Sequence, residues 1–141
     1  LRFVRESTAN ASVTSTQISG PGLTKFGHWT VTVSEPYFFD GEKVAGIVSL
    51  ERCPLPWRIR MPLSGELYEP FGGQGRKKIR KLWRDSGLPE RLRGTSPVIE
   101  SSNGEAIAAA ALRASETARA TDGDRVVTVV FSHPNWPQTN P

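Results

Sequence analysis

The stretch Trp57–Arg93, WRIRMPLSGELYEPFGGQGRKKIRKLWRDSGLPERLR, changes its hydrophobic period halfway along, and that change decides the fold class. At its start Trp57, Ile59 and Met61 alternate with Arg58 and Arg60, bounded by Pro56 and Pro62. A period of two is that of a strand with one apolar face, the arginines turned to solvent or a ligand. Toward its end Ile79, Leu82 and Trp83 fall at i, i+3 and i+4, one apolar stripe of a helix. Between the two, Gly72, Gly73 and Gly75 let the chain turn sharply. The spacing predicts a helix whose remaining surface carries Lys77, Lys78, Arg80, Lys81 and Arg84, preceded by Arg76 in the loop. It should end near Ser86, because Gly87 can adopt the left-handed cap conformation and Pro89 follows. Pro89 also suits the first position of a short second helix, PERLR.

Outward from this stretch the chain reads as strands. LRFVRE at the start alternates, HWTVTVSE (28–35) is β-branched, and KVAGIVSL (43–50) follows an Asp40-Gly41 turn. The Ser/Thr/Gly-rich segment up to Gly27 reads as a loop or a weak strand. Downstream, PVIE leads through Asn103-Gly104, a hairpin signal, into EAIAAAAL. Alanine favours helix there while the hairpin asks for a strand; 105–112 is read as a strand. DRVVTVVF (124–131) is a clearer one. The expected class is α+β: a small mixed or antiparallel sheet with one or two short helices, preceded by a β-rich N-terminal segment. The organisation expected is a β-rich segment over 1–55, a basic domain over 56–131 and a loose, proline-rich tail over 132–141. Because Leu1 opens on a strand already under way, a piece of a longer protein is expected. With no apolar run near the roughly 20 residues of a membrane span and no signal-like start, the expected location is cytoplasmic, with no membrane partner.

The net charge of +4 is unevenly spread. Trp57–Arg93 holds ten Lys or Arg against four Asp or Glu, while the rest of the chain holds eight against ten. A segment-localised excess points to a polyanionic partner, since each cation that meets a phosphate releases condensed counterions. The glycines fit neither phosphate-loop pattern: Pro70 stands five before Gly75 and Lys78 occupies the third glycine position of the dinucleotide fingerprint. They are read as a bend, whose helix start could still hold a backbone phosphate on free N–H groups. His28, His133 and Cys53 show no metal-ligand spacing, and no nucleophile-elbow pattern is present. No catalytic residue and no metal site are therefore expected in this chain. Cys53 reads as a packed, inert thiol, and Trp83 as a core residue rather than a base-stacking one.

The ordered motif resembles the C-terminal domain of tRNA(Ile)-lysidine synthetases. That pattern runs Arg, Gly-Asp, Pro-x-Gly, a further Gly, Lys-Lys-Leu-Lys-Lys, Ile/Val-Pro, Arg and Pro. It is matched by Arg60, Gly65, Pro70, Gly72, Gly75, Lys77, Lys78, Lys81, Leu82, Pro89, Arg93 and Pro97. Glu66 stands where the family usually has Asp, and Arg80 where it has Lys. The resemblance implies an enzyme that uses ATP to attach lysine to the wobble cytidine of an isoleucine tRNA. It places ATP and Mg2+ in an N-terminal catalytic domain whose Ser-Gly-Gly-x-Asp-Ser loop does not occur here. This chain is then expected to grip tRNA, at its acceptor end, through Arg60, Arg76, Lys77, Lys78, Arg80, Lys81, Arg84, Arg91 and Arg93. Arg60 and Arg93 fit equally well a structural role against Glu66 or backbone carbonyls. Partners implied are tRNA, the catalytic domain of the same protein and, as a candidate, a second copy of the chain. The competing reading is a protein-interaction module docking its basic helix on an acidic surface.

Overall fold

A computed structural model describes residues 15–41, 45–73 and 75–136. The architecture is sheet-rich with two short helices. One four-stranded sheet has the order β1 (Ser15–Ile18), β6 (Trp57–Arg60), β9 (Val98–Glu100), β10 (Ala106–Ala109). A second contains β2 (Gly22–Phe26), β3 (Trp29–Val33), β11 (Arg125–Ser132) and β4 (Tyr37–Phe38), with β5 (Ile47–Ser49) also on β11. A short ribbon joins β7 (Leu67–Tyr68) to β8 (Lys77–Lys78). Every pairing is antiparallel. β1 pairs with β6 and β3 with β11, so hydrogen-bonded ladders run across residue 55.

The alternation read in β6 holds: Trp57 and Ile59 are buried and Arg58 is exposed. β3 likewise buries Trp29, Val31 and Val33, and KVAGIVSL contributes β5. The Ser/Thr/Gly-rich segment forms β1 and β2, while LRFVRE lies outside the described residues. Asn103-Gly104 does turn β9 into β10, but within a longer connection in which the Ser101 N–H donates to Glu105 C=O (2.9 Å). The alanine segment is a strand over Ala106–Ala109, buried along its whole length. One core draws Ile59, Ile99 and Ile107 from the first sheet, Val31, Val127 and Phe131 from the second, and Ile79, Trp83, Leu88 and Leu92 from the helical region. At the C-terminal end, Trp136 lies against Trp29 with ring centroids 5.8 Å apart.

The helix α1 (Ile79–Ser86) corrects the expectation from spacing at its N-terminal end. Lys77 and Lys78 are not helical; they pair with Tyr68 and Leu67 as β8. The ribbon ladder wins because it satisfies backbone groups that the first turn of a longer helix would leave unpaired. The C-terminal end is as read: Gly87 has φ 87°, and the N–H groups of Gly87 and Leu88 return to Arg84 and Trp83 carbonyls. A second short helix, α2 (Glu90–Arg93), follows with Pro89 at its N-cap.

Ala111, exposed just after β10, has φ 64°, a left-handed conformation that strains any residue with a Cβ. Relief of that strain outweighs the extra chain entropy of glycine, so Ala111→Gly is expected to stabilise the fold by about 0.5–1 kcal/mol. An urea midpoint unchanged or lower than that of the parent chain would contradict this.

Candidate nucleic-acid interface

α1 is amphipathic in the strict sense that its two faces do different jobs. Ile79 and Trp83 are fully buried and Leu82 partly so, and the Trp83 indole N–H donates to the Ala110 carbonyl at 2.8 Å. This bond ties the helix to the segment leaving β10, and it settles Trp83 as a core residue. The opposite face presents Arg80, Lys81, Arg84 and Asp85, all exposed. Lys81 pairs with Asp85 at 3.0 Å, one turn on. Arg80 and Arg84 are also one turn apart, and neither has an ion pair among the described residues; like charges at this spacing oppose the helix slightly.

The cations around Asp85 converge. Its carboxyl is held below the usual range by the hydrogen bond from Lys81 foremost; desolvation opposes this, and the charges of Lys81, Arg84 and Lys77 add to the lowering. Lys78 is exposed, whereas Lys77, opposite buried Tyr68, is half-buried. Arg76 is exposed in the loop and borders a cavity of about 50 Å³ shared with Tyr68, Glu69 and Ser115. The first turn of α1 has no acidic residue and no side-chain cap, and the Ile79 N–H is already given to the Glu66 carbonyl (2.9 Å).

The remaining three arginines differ. Arg91 is exposed and reaches the Asn135 carbonyl at 3.3 Å. Arg93 is half-buried, its Nε donating to the Leu88 carbonyl at 2.8 Å. Arg60 lies in the sheet with only 11% of its side chain exposed. Its Nε donates to Glu100, Nη1 to Glu66 and Met61 C=O, and Nη2 to Glu66 and Gly104 C=O. All five guanidinium donors are thus spent inside the protein. The Glu66 hydrogen bond, despite burial acting the other way, raises the Arg60 pKa still further above its ordinary value. Burial would raise the Glu66 carboxyl, but hydrogen bonds from Arg60 and the Leu63 N–H prevail and hold it low.

Two cations outside the basic run also approach this region. The guanidiniums of Arg113 and Arg119 lie 5.2 and 5.8 Å from the Phe71 ring centroid. Nothing in the linear charge distribution marks them, since they stand beyond the basic stretch and meet Phe71 only through the fold. Among the described residues no three His, Cys, Asp or Glu side chains are grouped to hold a metal ion. His28 and His133 come within 6.2 Å, while Cys53 is buried, which raises its thiol pKa. No helix among the described residues is long and apolar enough to cross a membrane.

Known proteins are similar to this chain in sequence and in fold. The tRNA(Ile)-lysidine synthase of Geobacter sulfurreducens is 29% identical over 134 residues, covering 91% of this chain and 28% of the relative. That of Staphylococcus aureus is 28% identical over 78 residues, 55% of this chain and 18% of the relative. The chain therefore spans little more than a quarter of the longer match. The crystal structure of a TilS C-terminal domain superimposes with a TM-score of 0.67 at 20% identity, over 86% of this chain and 99% of that one, and shows the fold. The family model of the TilS substrate C-terminal domain matches residues 57–131, the span that carries β6, the glycine loop, both helices and the strands through most of β11. With that match extending over more than half of its length, the chain belongs to the TilS C-terminal domain family.

Proposed function

We propose that this chain is the tRNA-gripping portion of a tRNA(Ile)-lysidine synthase, holding the acceptor end while a separate N-terminal domain carries out the ATP- and Mg2+-dependent joining of lysine to the wobble cytidine. The observation that carries the reading is the outward face of α1. Its cations are anchored from behind by Ile79 and Trp83, so the charge is presented on a rigid surface rather than on a flexible arm. Arg80 and Arg84 are separated by about 6 Å of helix rise, comparable with the spacing of neighbouring phosphates on one RNA strand. Contacts of this kind read shape and backbone, as expected for A-form RNA, with Lys77, Lys78 and Arg76 extending the track toward the loop. Arg60 and Arg93 support the surface from within, their donors being taken by carboxylates and carbonyls.

Titration of the chain with tRNA at rising salt tests this. Binding should weaken steeply, with a slope in the double-logarithmic plot of about 0.7–0.9 per phosphate neutralised. Reversing charge in Arg80→Glu/Lys81→Glu/Arg84→Glu should lower affinity at least about 100-fold while leaving the thermal midpoint within a few degrees. Undiminished binding by this variant would defeat the reading.

A further inference from the structure

The glycine loop has a second cationic side. Phe71 is fixed by its N–H to the Ala114 carbonyl (2.9 Å), and the neighbouring Glu69 carbonyl accepts the Glu116 N–H (2.8 Å), so the loop is stitched to the segment after β10. On Phe71 sit two guanidiniums, those of Arg113 and Arg119. Arg113 is exposed and has no carboxylate partner among the described residues; Arg119 has Glu116 at 3.4 Å, in a pair that is itself exposed. Gly72 leaves Arg113 uncovered: a Cβ built there would stand 3.4 Å from Arg113 Nη1. Two like charges are gathered on one ring, and the single exposed carboxylate beside them among the described residues pairs with Arg119 alone. Such a pair gains most from an anion that both planar forks can grip.

We propose that Arg113 and Arg119, positioned by Phe71, form a phosphate-binding clamp beside Phe71 and Gly72. It makes a second arm of the interface, and it rests on the RNA-binding reading for the source of its phosphate. The ligand chemistry is a phosphate group, from an RNA backbone or from a free nucleotide. Phe71 is a positioning residue: its ring face orients both forks without itself contacting phosphate.

The test is anisotropy titration of the whole chain with labelled tRNA and, separately, with labelled ATP. Arg113→Ala/Arg119→Ala is expected to weaken tRNA binding about 10- to 100-fold and to reduce the salt slope by about 1 to 2. Phe71→Leu, which keeps an apolar side chain, should give part of that loss, and adding it to the double variant should cost nothing more. Unfolding midpoints measured alongside separate this from a folding defect: a variant that is destabilised yet binds with the parent's salt slope counts against the clamp. Loss on tRNA alone identifies a backbone phosphate, and loss on ATP a nucleotide; either supports the clamp. If both ligands bind the variants as they bind the parent, while the α1 charge-reversal variant loses tRNA, the clamp is wrong and the RNA-binding reading stands. A parent chain that binds ATP through these arginines but not tRNA keeps the clamp and discards that reading. A parent chain that binds neither discards both.

Discussion

Trp83→Ala is expected to lower unfolding free energy by about 3–5 kcal/mol, the range for emptying a fully buried aromatic site. The residue is 0% exposed, so almost all of its transfer free energy is lost, and the cavity opens directly beneath the cationic face. The loss also orphans the Ala110 carbonyl, whose partner is the indole N–H. Trp83→Phe separates the two contributions: it keeps most of the apolar volume and should cost about 1–3 kcal/mol, chiefly for the unmade hydrogen bond. Urea denaturation of both variants supplies the measurement. A loss below about 1 kcal/mol for Trp83→Ala would mean that α1 is not anchored as described, and the case for a rigid binding face would fall with it.

Removing the guanidinium of Arg60 should be comparably damaging for a different reason. Arg60→Met strips its partner from Glu66, 11% exposed, and leaves Glu100, 17% exposed, with only Arg58 at 4.0 Å, and stripping one partner from a buried ionic cluster costs about 3–5 kcal/mol. The penalty depends on pH in a defined direction. In the parent chain the Glu66 carboxyl is held below its ordinary value of 4.5, so its contribution is present above that pH and is lost as pH falls through the lowered value. In Arg60→Met the same carboxyl loses the partner that holds it low and takes up a proton more readily, so acid relieves the variant. The two stability curves should therefore converge below about pH 4.5. A penalty that stays constant from pH 7 to pH 4 would refute the ionic account. Replacing Glu66 and Glu100 by apolar residues in the same variant should recover much of the loss, since the cost lies in the unpaired charges rather than in the missing arginine. Because all five donors of Arg60 are already committed, the salt slope of RNA binding should not change in any Arg60 variant that remains folded.

The two arginines of β6 illustrate what a strand period can and cannot say. Alternation puts Arg58 and Arg60 on one polar face, and both lie there. It is silent on which of them is spent, because the carboxylates that take up Arg60 come from a loop six residues on and from a strand forty residues on. The basic run shows the same division. Its apolar stripe, its end at Gly87 and the outward cations of α1 are local properties, repeated every turn and therefore readable in order. Its first two lysines belong to a strand because Leu67 and Tyr68 lie beside them, a pairing that helical spacing cannot register. Ala106–Ala109 goes further: the local preference of alanine is for helix, and burial of all four residues against β9 and the core overrides it.

By itself, then, the sequence determined the α+β class, the position of the principal strands, the end of the helix and the segment in which positive charge is concentrated, since each follows from short-range period, turn chemistry and composition. Only the tertiary structure decided which cations remain free. Arg60 disappears into two carboxylates, Trp83 seats α1 on Ala110, and Arg113 and Arg119 arrive at Phe71 from about forty to fifty residues downstream. A charge's availability depends on the groups that surround it in space, and those are brought together by long-range strand pairing that no local pattern encodes.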